Sequence, residues 1–136
     1  MGIDELRVGD LLPEREHTPG NVSLFLYNAA VWNPHRIHYD ERYTMDVEGH
    51  PGIVVDGPLQ GDWLAQCVAN WLQEDGVLER FHYSNRRAAY VGETLTSGGR
   101  IVAVDAGTRE VTLELWVRNA AGAVTSPGGA VVRLSR

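Results

Sequence analysis

The stretch "WNPHRIHYD", Trp32 to Asp40, gathers Asn33, His35, Arg36, His38 and Asp40 directly after an apolar run. Histidine titrates near neutrality, so a polar loop stiffened by Pro34 at the end of an apolar helix is a suitable mount for a general base. The plainer reading is that one histidine merely caps a helix or satisfies a buried carbonyl. For a single histidine that reading is the stronger one, and two histidines followed by Asp40 weaken it without reversing it. Taken as metal ligands, His35, His38 and Asp40 would need further ligands, and such clusters on loops are commonly solvated, so no metal is expected.

A second chemical signal is "VDGPLQ". Gly57 before Pro58 reads as an N-cap followed by the first residue of a helix, where the absent proline N–H is no loss. The helix itself is legible from spacing. Leu59, Trp63, Leu64, Cys67, Val68, Trp71 and Leu72 recur at helical intervals between Pro58 and Gln73 and line one broad stripe. Such a stripe needs a large apolar surface to lie against.

The surface follows in the chain. "RFHYSNRRAAYV", "ETLTSGGRIVAVDA", "EVTLELWVRN" and "AVTSPGGAVVRLSR" are strand-like and separated by turn signals. In the third, Val111, Leu113, Leu115 and Val117 alternate with Thr112, Glu114, Trp116 and Arg118, as one buried and one more polar face require. Upstream, Thr18 and Pro19 read as N-cap and first residue of a helix running to Trp32, and Asp40 as the start of a short one over "DERYTMDV". Helices first and antiparallel strands after predict an α+β fold, a long helix on a curved sheet, in one domain over residues 1–136.

Composition narrows the partners. Twelve Lys and Arg against 18 Asp and Glu give a formal charge of -6, and the only basic cluster is Arg86–Arg87. The long-range field repels phosphate backbones, so nucleic acid is not an expected partner. Cys67 is the only cysteine, which excludes an intramolecular disulfide framework and a cysteine-rich zinc site. "MGIDELRVGD" lacks the basic and apolar stretches of a secretory signal, and no run is long enough for a membrane span. A cytoplasmic protein is expected, in which the sequon at Asn21 carries no glycan.

With these residues in view, the chain resembles the MaoC-like hydratases and dehydratases, hot-dog proteins acting on acyl thioesters. "WNPHRIHYD", "GHPGIVVDGPLQGDWLA", "SNRRAAYVGETLTSGGRI" and "RNAAGAVTSPGGAVVRL" are similar to its successive blocks, in order and over nearly the whole chain. "HRIHYD" is most similar to the form in itaconyl-CoA and mesaconyl-C4-CoA hydratases and mitochondrial type 2 3-hydroxyacyl-thioester dehydratases. The resemblance implies reversible hydration of a 2-enoyl thioester to a 3-hydroxyacyl thioester. The acyl group would be carried on coenzyme A or an acyl carrier protein, by a homodimer without metal or redox cofactor.

The resemblance also assigns residues. It puts the family's histidine on His38, as acid and base. It puts Asn33 where (R)-specific relatives carry Asp; an amide can position water or a hydroxyl but cannot accept a proton. Gly57 matches the glycine whose N–H meets the thioester oxygen, a role that a donor near a helix N-terminus suits physically. His35 could assist or be a loop residue. Asp56 stands where many relatives carry His, and either points away, pairs with Arg36 or a histidine, or replaces the missing carboxylate. Arg86 and Arg87 could meet coenzyme A phosphates or be a solvated strand end. Two rivals remain: a hot-dog thioesterase using Asp62 or Glu74, and a non-catalytic acyl-binding subunit of a heteromeric dehydratase.

Overall fold

The computed structural model describes residues 1–136. Five antiparallel strands form one sheet in the order β1-β3-β4-β5-β2: β1 (Arg15–His17), β2 (Gly76–Tyr83), β3 (Leu95–Asp105), β4 (Glu110–Arg118) and β5 (Val124–Leu134). The helices α1 (Asn21–Ala30), α2 (Glu41–Asp46) and α3 (Gly57–Leu72) precede the main strands. This is the hot-dog arrangement, an α+β fold with α3 lying against a curled sheet.

The stripe on α3 packs as its spacing requires. Trp63, Leu64, Cys67, Val68 and Leu72 are buried, with Leu59 and Trp71 partly buried against the same core. Opposite them stand Val111, Leu113, Leu115 and Val117 of β4, together with Leu95 and Ile101 of β3 and Val132 and Leu134 of β5. Gly61 is needed for close approach, because a Cβ there would fall 2.5 Å from the Tyr83 ring.

The sequence reading differs from the structure in four places. Helix α1 begins after Gly20 rather than Thr18, because the Gly20 N–H donates to Ser23 Oγ at 2.9 Å and caps the helix there. It ends at Ala30, and Trp32 takes a positive φ of 57°, which no helix can continue. The N-cap of α3 is Asp56, and Gly57 is already helical.

The expected strand over residues 80–91 is the third difference: β2 starts earlier, at Gly76, and ends at Tyr83. Residues 84–87 instead lie along the start of β5, through Ser84 N–H to Pro127 O at 3.0 Å and Arg86 N–H to Thr125 O at 2.9 Å, and residues 89–91 run beside residues 53–55, through Val55 N–H to Ala89 O at 2.8 Å and Val91 N–H to Ile53 O at 2.9 Å. Their apolar residues serve that pairing. The fourth is β1, whose sequence Arg-Glu-His has no apolar alternation. It is held by side chains: His17 stacks on Trp63 at 4.2 Å, and its Nε2 lies 2.9 Å from Ser97 Oγ.

Leu64 is fully buried between α3 and the sheet. Leu64→Ala is expected to lower unfolding free energy by about 2–5 kcal/mol, the usual range for truncating a core leucine, as read by denaturant titration.

Candidate active site

His38 closes a short 3-10 turn, Arg36–His38, and is 8% exposed. Its Nδ1 lies 2.7 Å from the Val54 carbonyl oxygen. A carbonyl only accepts, so Nδ1 carries the proton and neutral His38 keeps its lone pair on Nε2. Nε2 has no partner within the chain, and His38 lines a cleft of about 350 Å3. The plain reading of a histidine satisfying a buried carbonyl therefore describes one ring nitrogen, and the other has no partner.

Gly57, Gln60, Asn85, Arg86 and Arg87 line the same cleft. The Gly57 N–H is at the start of α3, and no acceptor in the chain takes it. Glycine is required because a Cβ would run into the Asn85 amide. Asn85 is fixed in turn: its Oδ1 accepts from Ser126 Oγ at 2.9 Å, and Ser126 Oγ lies equally close to Gln60 Oε1, which also accepts from Thr125 Oγ1 at 2.7 Å. Neither Arg86 nor Arg87 forms an ion pair, although the Arg86 and Arg87 N–H groups anchor the loop on Thr125 O at 2.9 and 3.2 Å.

Asp56 has no exposed surface. Its Oδ1 accepts from Asn28 Nδ2 at 3.0 Å and stands 3.5 Å from His38 Nδ1. Of the partners considered for this residue, Arg36 is engaged elsewhere, with Asp40 at 2.9 Å and stacked over Tyr43, and His38 is the near one, although its Nδ1 lies closer to Val54 O. Burial pushes the Asp56 carboxyl above its ordinary 3.8, opposed by the Asn28 amide, the His38 ring and, outside hydrogen-bonding distance, the Asn33 amide. Tyr27 is pushed up to about 12, first by burial and then by Asp62 and Asp56, so it remains a neutral phenol.

The other anticipated residues fall outside the cleft lining. Asn33 Oδ1 accepts the His35 N–H at 3.1 Å, and Asn33 borders an adjacent apolar cavity of about 290 Å3 lined by Phe25, Asn28, Ala29, Trp32, Pro34 and Tyr39. His35 is exposed, and its Nδ1 accepts the Ile37 N–H at 3.4 Å, capping the turn that carries His38. Asp40 caps α2 by accepting the Tyr43 N–H at 3.0 Å. Asp62 and Glu74, the carboxylates considered for hydrolysis, do not line the cleft. Asn28, Gln60 and Asn85 had not been anticipated. For Asn28 the signal was an amide inside an apolar helical run; for Gln60, one of three amides on α3, and for Asn85 there was none.

The comparisons with known proteins agree with this architecture. Residues 9–91, the greater part of the chain, match the family hydroxyacyl-thioester dehydratase type 2. The chain belongs to that family. The mitochondrial hydroxyacyl-thioester dehydratase type 2 of Saccharomyces cerevisiae is 29% identical over 82 residues, which are 60% of this chain and 29% of the yeast protein. Mesaconyl-C(4)-CoA hydratase of Chloroflexus aurantiacus is 56% identical over 45 residues, 33% of this chain and 16% of that protein. The chain thus spans well under half the length of these relatives. Among solved structures, a MaoC-like dehydratase superposes with a TM-score of 0.90 at 23% identity, over 98% of this chain and 42% of that one.

The raised Asp56 value has a consequence for stability. The folded protein holds this proton more tightly than the unfolded chain, so the stabilisation is fully present below the ordinary 3.8 and is lost as pH rises through the higher folded value. The stability difference between wild type and Asp56→Asn is therefore expected to be most in favour of the wild type at acid pH and to decline upward. Unfolding titrations from about pH 3 to pH 8 measure it.

Proposed function

We propose that the protein catalyses reversible hydration of a 2-enoyl thioester to the 3-hydroxyacyl thioester, with His38 as acid and base. The observation carrying this reading is that His38 Nε2 and the Gly57 N–H, both without partners in the chain, belong to one cleft. In the hydration direction Nε2 takes a proton from water as the oxygen bonds to the β-carbon. Negative charge passes to the thioester oxygen, where the Gly57 N–H and the start of α3 stabilise it. The imidazolium then returns the proton to the α-carbon, and the histidine ends as it began.

Asn33 supports the reaction by positioning: it holds the His35 loop and borders the apolar cavity, which offers room for the acyl tail. His35 is a loop-shaping residue in this reading. The unpaired Arg86 and Arg87 suit the phosphates of coenzyme A or of an acyl carrier protein's prosthetic group. The reading calls for no metal or redox cofactor. A reducing compartment such as the cytoplasm suits buried Cys67, and the mitochondrial setting in the name of the yeast relative suits it equally. No helix is long and apolar enough to cross a membrane.

A panel of enoyl thioesters, read for loss of conjugation and for release of free thiol, tests the reaction. Loss of conjugation without thiol release is expected; thiol release would favour hydrolysis, and silence with tight binding would favour a non-catalytic subunit. His38→Ala is expected to reduce turnover about 10²–10⁴-fold, the usual contribution of a general acid–base group, with folding intact by circular dichroism. Asn33→Ala should lower turnover strongly while Asn33→Asp keeps much of it.

We also propose a homodimer. Strand β2 is a sheet edge paired only with β5, and it exposes Val77 and Leu78. Pairing with a second copy would cover that edge. Light scattering is expected to give twice the chain mass; a stable monomer at working concentration would oppose it.

A further inference from the structure

The polar cluster beneath His38 contains two buried acceptors that nothing satisfies: Asn28 Oδ1 and Asp56 Oδ2. They belong to the two side chains already joined by the bond from Asn28 Nδ2 to Asp56 Oδ1. The amide orientation of Asn28 is fixed by its donors, because the same nitrogen also donates to Leu24 O at 2.7 Å. Flipping the amide would set its oxygen against two acceptors. Asn28 is 4% exposed and Asp56 0%, so bulk water does not relieve either orphan.

Charge does not hold an anion there either. The only cationic candidate near the Asp56 carboxyl is His38, whose Nδ1–H is committed to Val54 O at 2.7 Å against 3.5 Å to Asp56. Arg36 faces Asp40 and Tyr43. From the neighbouring helices come Tyr27, a neutral phenol, and Asp62, whose charge acts on Tyr27 and adds no cation. A buried carboxylate with one weak cationic neighbour is costly, whereas the neutral acid is not.

We propose that Asp56 and Asn28 form a closed acid–amide pair, in which one proton on Asp56 Oδ2 is donated to Asn28 Oδ1, and that this pair is the positioning element behind His38. The single proton satisfies both orphans at once and closes a hydrogen-bonded ring with the existing Nδ2–H to Oδ1 bond. Asp56 is then a neutral group beside the histidine. It sets the edge of the carboxyl against the His38 ring and leaves no anion to trap the imidazolium that forms when Nε2 takes a proton. Burial acts in the same direction on the Asp56 carboxyl. The positioning role rests on His38 being the acid–base group; the shared proton does not.

Infrared spectroscopy of the free protein at neutral pH, with 13C-labelled aspartate, tests the proton independently of activity. A carboxylic-acid C=O stretch that moves with the label and disappears in Asp56→Asn is expected. A spectrum showing only carboxylate overturns the proposal. Should Asp56→Asn fail to fold, Asn28→Ala substitutes: the acid band is expected to move to higher frequency as its acceptor is lost, and an unmoved band overturns the pair. Rescue tests the positioning. Asp56→Leu is expected to lower kcat about ten-fold or more, by analogy with the loss when a partner orienting a metal-bound histidine is removed, with KM little changed. Asp56→Asn, which reproduces both bonds of the ring without an ionisable group, is expected to recover most of that loss. Failure of Asp56→Asn to recover turnover, or displacement of its acid pH limb by a unit or more, would show that an ionised carboxylate is required. If no enoyl thioester is turned over, the reading of function fails while the infrared result still decides the pair.

Discussion

The site depends first on the hydrogen bond from His38 Nδ1–H to the Val54 carbonyl. It fixes the tautomer, the ring orientation and the nitrogen left without a partner. Val54 can serve because its own N–H donates to Ile37 O at 2.9 Å, and because it bridges to Tyr90 on the other side. The segment 53–55 is thus held between the histidine turn and the 84–91 loop. Two residues later it becomes the start of α3, which brings Asp56 and Gly57 to the same place. One short extended segment therefore sets the His38 ring, the buried Asp56 carboxyl beneath it and the free Gly57 N–H.

Rigidity beneath this segment comes from two layers of different chemistry. The apolar layer is α3 against β3, β4 and β5, with Gly61 permitting close approach to Tyr83. The polar layer is the buried set of Asn28, Asp56, Gln60, Thr125 and Ser126. Polar groups in such a place are costly unless paired, and when paired they allow few alternative arrangements. The Gln60–Thr125–Ser126 group ties the first turn of α3 to the beginning of β5 and holds Asn85 over Gly57.

How much was legible follows from which residues speak locally. The α3 stripe and the β4 alternation are periodic and could be read directly, although Trp116 on the more polar face is 7% exposed beneath Arg118. Strand β1 could not be read, because stacking on Trp63 and pairing with β3 create it, not its own three residues. The 84–91 segment was misread as a continuation of β2, since residues 84–87 make only irregular bonds to β5 and the apolar residues 89–91 pair with another loop. His38 was visible through its motif, and His35, read as either an assistant or a loop residue, caps the turn that carries His38. The partnership of Asp56 with Asn28 and His38 joins three distant parts of the chain, so no spacing rule could have revealed it.

The cleft is lined on one hand by the start of α3 with Asn85 packed against Gly57, and on the other by Arg86 and Arg87. On one side the α3 backbone, Asn85 and the buried hydroxyls move only together, so a ligand pressing there works against the core itself. On the other, Arg86 and Arg87 are solvent-facing side chains on a backbone pinned at Thr125. Such a cleft behaves as a fixed jaw facing an adjustable one. The arginine wall can change at little structural cost, whereas the wall built on α3 tolerates almost no change in volume.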